Sequence, residues 1–96
     1  MEQLKRITQM EQALDEASAA LSALGAALDR YAAVQEALAE LTAYYQSDRW
    51  LEDFDADQSG KLPQDLKRGV LSEDAVDSLL TDHARLLERM RELSGG

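Results

Sequence analysis

The residues best suited to chemistry lie in one short polar stretch near the middle of the chain. Asp55, Asp57, Ser59 and Gly60 have the spacing that opens a calcium-binding loop, where oxygen ligands surround the cation at a glycine turn. The twelfth position of such a loop supplies a bidentate glutamate, but here that position is Leu66. We therefore expect an Asp/Ser/Gly turn with no cofactor and no metal, Asp55, Asp57 and Ser59 being only weak candidates as ligands.

The single histidine, His83, is the other residue type that invites a catalytic interpretation. It falls within an apolar stripe at helical spacing, where a histidine usually lies at the edge of a core. A catalytic base needs a nucleophile and an orienting acid nearby, and the adjacent Asp82 points about 100° away on a helix. The chain contains no cysteine. We predict no catalytic residue and no enzymatic activity.

Nearly all of the aromatic side chains fall close together after the first half of the chain. The functional interpretation of such a cluster is a platform on which a ligand stacks. The alternative, which we favour because the apolar face preceding it lacks other large side chains, is a plug that closes the end of a helical hairpin. The cluster consists of Tyr44, Tyr45, Trp50 and Phe54.

Nineteen acidic residues against ten Lys and Arg give a formal net charge of −9, which argues against direct binding to nucleic acid. The middle of the chain, residues 48–82, is its most acidic part. The acids there are either an ordinary solvated surface or one face that meets a basic partner. The candidates for such an acidic face are Asp48, Glu52, Asp53, Asp55, Asp57 and Asp65.

These groups must be positioned by a long first helix, predicted over about residues 2–46. Apolar residues recur at alternating spacings of three and four, which indicates a helix with one persistent apolar seam. Such a helix would be roughly 67 Å long. Gly25 lies inside it and is either tolerated or the site of a break into two helices. The seam comprises Ile7, Met10, Leu14, Ala17, Leu21, Leu24, Leu28, Tyr31, Gln35, Leu38, Thr42 and Tyr45.

Two short helices and an irregular joint are predicted after the first helix. Ser47 or Asp48 can cap a helix running from about residue 49 to 54. The polar stretch from Asp55 to Leu62 follows as a joint. A second short helix, from Pro63 to Arg68, would then end at Gly69 in a left-handed conformation.

The last helix is predicted over about residues 73–93. Ser72 is a good N-cap, and Leu71 and Val76 have the spacing of a hydrophobic staple. Residues 94–96 should form a frayed tail. The apolar stripe of this helix comprises Val76, Leu79, Leu80, His83, Leu86, Leu87, Met90 and Leu93.

These elements predict one all-α domain over residues 1–96, a helical hairpin or coiled-coil-like bundle. The last helix would pack antiparallel along the first but is only about 32 Å long, so it covers about half of the seam. The open end should promote self-association as a homodimer. The residues exposed there are Leu4, Ile7, Met10 and Leu14.

Three segments of the chain resemble the bacterial family catalogued as domain of unknown function 4298. They are Arg6-Ile7-x-x-Met10-Glu11, Tyr44-Tyr45-x-Ser47-x-x-Trp50, and the run from Asp57 to Ala75 containing Gly60-Lys61-Leu62-Pro63 and Asp65-Leu66-Lys67-Arg68-Gly69-Val70-Leu71-Ser72-Glu73-Asp74. The resemblance covers almost the whole chain and implies a bacterial, free-standing, small helical protein. It carries over no activity, ligand or catalytic residue.

The function expected from these features is a non-enzymatic protein–protein interaction module with an unidentified protein partner. The alternative is an acidic inhibitor or nucleic-acid mimic that occupies a basic groove of a nucleic-acid-binding protein. No apolar run reaches the ~20 residues of a membrane span, and the N-terminus has no signal-peptide core. We therefore expect a cytoplasmic protein without membrane contact.

Overall fold

A computed structural model describes residues 1–95 of the chain. The helices are α1 (Glu2–Ala33), α2 (Gln35–Tyr45), α3 (Asp48–Gln58), a 3₁₀ helix (Gly69–Leu71) and α4 (Glu73–Leu93). No strand occurs within residues 1–95, so the all-α prediction is confirmed. The chain divides into two compact units, Met1–Glu40 and Leu41–Gly96. That they form one domain, with the last helix antiparallel to the first, stays a prediction.

The first helix is continuous through Gly25 but ends at Ala33, so the prediction of one helix to residue 46 was wrong. Val34 adopts φ −98° and ψ 5°, and its N–H is shared between the carbonyls of Arg30 and Tyr31. The side-chain amide of Gln35 donates to the Tyr31 carbonyl at 3.0 Å, replacing the backbone bond expected there. A β-branched valine has a low helix propensity, and this side-chain bond satisfies the carbonyl that the break exposes.

Helix α3 begins where predicted but extends to Gln58. Ser47 occupies its N-cap position, but its side chain accepts no capping bond. Its hydroxyl donates to the Tyr44 carbonyl at 2.6 Å. At the other end Gly60 has φ +71°, the left-handed conformation that favours glycine. The Gly60 N–H donates to the Asp57 carbonyl and the Lys61 N–H donates to the Ala56 carbonyl, as in a Schellman motif. Residues 55–58, predicted to be irregular, are therefore helical.

The second short helix predicted from Pro63 to Arg68 does not form. One turn bond joins the Leu66 N–H to the Pro63 carbonyl, and the 3₁₀ helix at Gly69–Leu71 follows. Gly69 also lacks the positive φ expected of a left-handed cap. A helix of six residues gains too few backbone bonds to offset its nucleation cost. The Arg68 guanidinium instead donates to Asp57 and to the Gln64 carbonyl, which holds the segment against α3.

Helix α4 has the predicted bounds, and the Ser72 hydroxyl accepts from the Ala75 N–H at 3.2 Å. Its predicted apolar stripe divides into two rows. The inner row, Val76, Leu80, His83 and Leu87, is buried or half-buried, whereas the outer row, Leu79, Leu86, Met90 and Leu93, is exposed. Ser94 and Gly95 form a turn after the helix, and Gly96 lies outside the described residues.

Among residues 1–95, the buried hydrophobic residues all belong to the second unit. They are Trp50 of α3, Leu71 of the 3₁₀ helix and Val76 of α4, each less than a tenth exposed. Leu71 and Val76 are the pair predicted as a hydrophobic staple, and they are buried where the 3₁₀ helix meets α4. The 3₁₀ helix contacts both α3 and α4, so it is the element that joins them.

Candidate functional site

One face of α1 is an exposed apolar surface. None of the residues of this helix is buried, although leucines follow it from its first turn to its last. The four residues predicted for self-association, Leu4, Ile7, Met10 and Leu14, are 50–60% exposed. The exposed surface continues beyond them along the seam. Leu21, Leu24 and Leu28 are 43–67% exposed.

The spacing of these residues gives the surface its form. Ile7, Leu14, Leu21 and Leu28 recur at sevens, and Met10 and Leu24 lie three residues after two of them. On a helix these positions form a narrow stripe that follows the axis, as in a coiled-coil seam. Alanines border the stripe on one side at the same interval, so a second helix can approach closely. These alanines are Ala13, Ala20 and Ala27.

The aromatic residues predicted as a plug are brought together only in part. The Trp50 ring lies edge-on to Tyr45 and stacks on Phe54, with centroid separations of 5.1 Å in both pairs. The Trp50 indole N–H donates to the Val70 carbonyl at 2.9 Å. Through these contacts Trp50 joins α2, α3 and the 3₁₀ helix. Because Trp50 is only 5% exposed and its one donor is used, its ring has no free face on which a ligand would stack.

The fourth aromatic residue, Tyr44, bonds separately from this cluster. Its hydroxyl donates to the Asp53 carboxylate at 2.6 Å, and the Tyr45 hydroxyl donates to Asp77 at 2.9 Å. Burial, then the bond to Asp53, then the charge of Asp53 raise the pKa of Tyr44 to about 12. The pKa of Tyr45 is raised mainly by its bond to Asp77, and further by burial and by nearby acidic charges. Both hydroxyls therefore stay protonated at neutral pH and act as donors.

The polar stretch considered for calcium has a different conformation from a cation loop. Asp55 and Asp57 lie in α3, two positions apart. Their side chains therefore point in directions that differ by about 200° around the helix axis. The Asp57 carboxylate accepts from Arg68 at 2.8 Å. Within residues 1–95, no three acidic or histidine side chains are grouped so that they could hold a metal ion. Ser59 is the C-cap of α3.

The six acids proposed as one face separate into two sets and a single residue. Asp48, Glu52 and Asp55 are exposed and lie within about 60° of each other around α3. Asp53 and Asp57 accept bonds from Tyr44 and Arg68, on the side of α3 that carries Trp50 and Phe54. Asp65 is exposed in the segment before the 3₁₀ helix.

An open groove of about 460 Å³ lies beside the Asp57–Arg68 ion pair. Its walls include Phe54, Leu71 and the first residues of α4, among them Glu73 and Asp74. Among the described residues that line it, the cation is Arg68, which is neutralised by Asp57, so Glu73 and Asp74 make the groove acidic. His83 is half-buried on the inner row of α4 and does not line this groove.

Several polar contacts of the second unit were not predicted. Asp77 accepts from Tyr45, 32 residues earlier, and Asp57 pairs with Arg68, eleven residues later. In the sequence, the presence of each of these charged or polar residues is already explained by a nearby helix end or by a solvent-exposed helix face. No periodic signal connects residues so far apart, so only the tertiary structure reveals the pairs.

Among residues 1–95, no helix is both long enough and apolar enough to cross a membrane. The elements define a small all-α protein whose second unit is held by an aromatic cluster and whose first helix carries an exposed apolar seam. The chain belongs to the family DUF4298, a domain of unknown function, whose model matches residues 7–93. This confirms the resemblance noted in the sequence. No curated protein and no solved structure matches the chain.

Proposed function

We propose that the chain is a non-enzymatic protein–protein interaction module that self-associates through α1. The observation that supports this is the exposed seam: α1 has 32 residues, none of them buried, and a row of large aliphatic side chains along one face. An exposed apolar surface of this extent is typical of an interaction site. The occupant we propose is a second copy of α1, because a heptad seam is complementary to itself.

The energy available at this seam is sufficient for association. Full burial of Leu4, Ile7, Met10 and Leu14 is worth roughly 1.5–3 kcal/mol per side chain. A symmetric dimer buries this set twice, and the rest of the seam adds to it. Association costs about 4–15 kcal/mol of translational and rotational freedom. The apolar contribution therefore exceeds the cost over most of this range.

Sedimentation analysis at micromolar concentration tests this proposal. We expect the wild-type chain to have twice the chain mass, and the double variant Ile7→Glu with Leu14→Glu to have the mass of one chain. A matched control, Gln12→Glu with Ala19→Glu, introduces two glutamates on the opposite face of the same helix and should stay dimeric. A monomeric wild-type protein would refute self-association.

A second candidate function is an acidic inhibitor or nucleic-acid mimic that occupies a basic groove of a nucleic-acid-binding protein. It is supported by Asp48, Glu52 and Asp55, three exposed carboxylates on one side of α3. The support is limited to these three, because Asp53 and Asp57 accept bonds within the folded unit. In either function the chain would act in the cytoplasm on a protein partner and would not bind nucleic acid directly.

Affinity capture from the bacterial host, read by mass spectrometry, separates the two candidates. A nuclease or DNA-binding protein that is retained by the wild-type chain but lost with Asp48→Asn, Glu52→Gln and Asp55→Asn supports the mimic. A stoichiometric partner retained by that triple variant, but lost with Ile7→Glu and Leu14→Glu, supports an interaction module that acts through α1.

A further inference from the structure

We propose that the two copies of α1 pair antiparallel, centred on Ala19; this inference rests on the proposed self-association and specifies its geometry. In this register Met10 of one copy faces Leu28 of the second, and Leu14 faces Leu24. The part of the exposed seam between Met10 and Leu28 is then matched along its full length. All four of these side chains are at least 43% exposed and available for the contact.

The first argument is side-chain size along the seam. The seam is made of large aliphatic residues except at Ala17, which breaks the row between Leu14 and Leu21. In a parallel pair Ala17 faces its own copy, which leaves a void in that layer. In the antiparallel pair Ala17 faces Leu21 of the second copy, so a small and a large side chain share each central layer, as dense packing requires.

The second argument is charge. A parallel pair places Glu11, Asp15 and Glu16 level with the same acids of the second copy. The antiparallel pair separates the two acidic groups by about 15 Å along the axis, which exceeds the screening length of about 8 Å at physiological salt. Repulsion between these two acidic groups is thereby reduced.

The third argument is area. Covering a large aliphatic side chain removes about 60–120 Å² of apolar surface from water, which is the area that corresponds to its transfer free energy. The six large seam residues of each copy then bury roughly 700–1,400 Å², and the alanine border adds to this. They are Ile7, Met10, Leu14, Leu21, Leu24 and Leu28. Specific interfaces begin at about 1,200 Å². A contact along the full seam reaches this size, whereas one confined to the first two turns does not.

Distances between spin labels test the orientation, and the absence of native cysteine allows single-site labelling. Lys5→Cys and Ala19→Cys each place a label on the outer face of α1. In the antiparallel dimer the labels at residue 5 are about 42 Å apart along the axis, and those at residue 19 are level. We expect a long distance for the first variant and a short distance for the second, by pulsed electron spin resonance.

Each alternative has its own signature in this experiment. Equally short distances at both sites, in a protein that sediments as a dimer, would overturn the antiparallel geometry and leave self-association intact. A monomer would overturn both. As a second measurement, Ala17→Leu should weaken the antiparallel dimer about tenfold by overpacking two layers, and Leu21→Ala in the same chain should restore it. A tighter dimer with Ala17→Leu would instead show a parallel pair.

Discussion

The indole N–H of Trp50 donates to the backbone carbonyl of Val70 at 2.9 Å, across twenty residues of chain. The donor lies in α3, and the acceptor lies in the 3₁₀ helix that leads into α4. The bond thus connects α3 to α4 through the short 3₁₀ helix between them. Because Trp50 also packs against Tyr45 and Phe54, this one side chain links three elements of the second unit.

Trp50→Ala should therefore destabilise the second unit by about 3–5 kcal/mol, since a large buried side chain is removed and the Val70 carbonyl loses its donor. Leu51→Ala is the matched control, because Leu51 is the next residue of α3 and is 55% exposed. Its cost should stay within about 0.5 kcal/mol apart from the small propensity change. Urea denaturation followed by circular dichroism measures both. Equal losses for the two variants would contradict the central position of Trp50.

The tyrosine pKa values predict that the fold loses stability in alkali. Because the pKa of Tyr44 is raised to about 12, folding retains a proton that the unfolded chain releases near pH 10. The contribution of the protonated Tyr44 hydroxyl to the free energy of unfolding is complete below pH ~10 and is lost as the pH rises to ~12. Tyr45, with its pKa also raised, adds to the same trend.

Tyr44→Phe should be less stable than wild type at neutral pH by about 1 kcal/mol, and the difference should shrink above pH ~10. Denaturation across the alkaline range measures this convergence, and tyrosinate absorbance reports the titration directly. Asp53→Asn should lower the pKa of Tyr44, because it removes the negative charge that opposes ionisation. An unchanged titration in Asp53→Asn would contradict the contact.

The two ion pairs should differ in their energetic effect. Arg68 and Asp57 are 33% and 21% exposed, whereas Arg91 and Glu88 are 70% and 61% exposed. Arg68→Ala should cost about 1–2 kcal/mol, since the Gln64 carbonyl also loses a donor. Arg91→Ala is the control and should cost under about 0.5 kcal/mol. A comparable loss for both variants in thermal unfolding would show that partial burial does not strengthen the Arg68 pair.

Two glycine substitutions should have opposite signs. Gly60 has φ +71°, so Gly60→Ala forces a left-handed conformation at a cost of about 1–2 kcal/mol. Gly25 lies inside α1, and an added Cβ would meet nothing within 4 Å. Gly25→Ala should therefore stabilise α1 by about 1 kcal/mol. Thermal unfolding of both variants tests the pair, and destabilisation by Gly25→Ala would show that α1 needs its glycine.

Calcium at millimolar concentration should leave the melting temperature unchanged. A ligand at a hundredfold excess over its dissociation constant stabilises a protein by about 2.7 kcal/mol, which a small domain would show as a shift of several degrees. The helical conformation of Asp55 and Asp57 does not bring their carboxylates together on one cation. An increase that Asp55→Ala abolishes would show that this stretch binds calcium.

The sequence by itself determined the helical class, the seam of α1 and the bounds of α4. These features depend on contacts within a few residues: apolar periodicity, the Ser72 cap and the first-turn acids. The sequence also predicted a turn at the Asp/Ser/Gly stretch, but it assigned the left-handed glycine to Gly69, whereas the structure has it at Gly60, after the end of α3. Local interactions of this kind are encoded in adjacent residues and can be read without the fold.

Only the tertiary structure decided how the middle of the chain is connected. The expected helix at Pro63–Arg68 gave way to a segment held by Arg68 on Asp57. The Trp50–Val70 bond likewise joins residues whose separation carries no periodicity. Propensity differences there are only tenths of a kcal/mol per residue, so one hydrogen bond to a distant partner outweighs them. The break of the first helix at Val34 is instead a local effect that periodicity does not show, because the Gln35 side chain bonds the Tyr31 carbonyl four residues earlier.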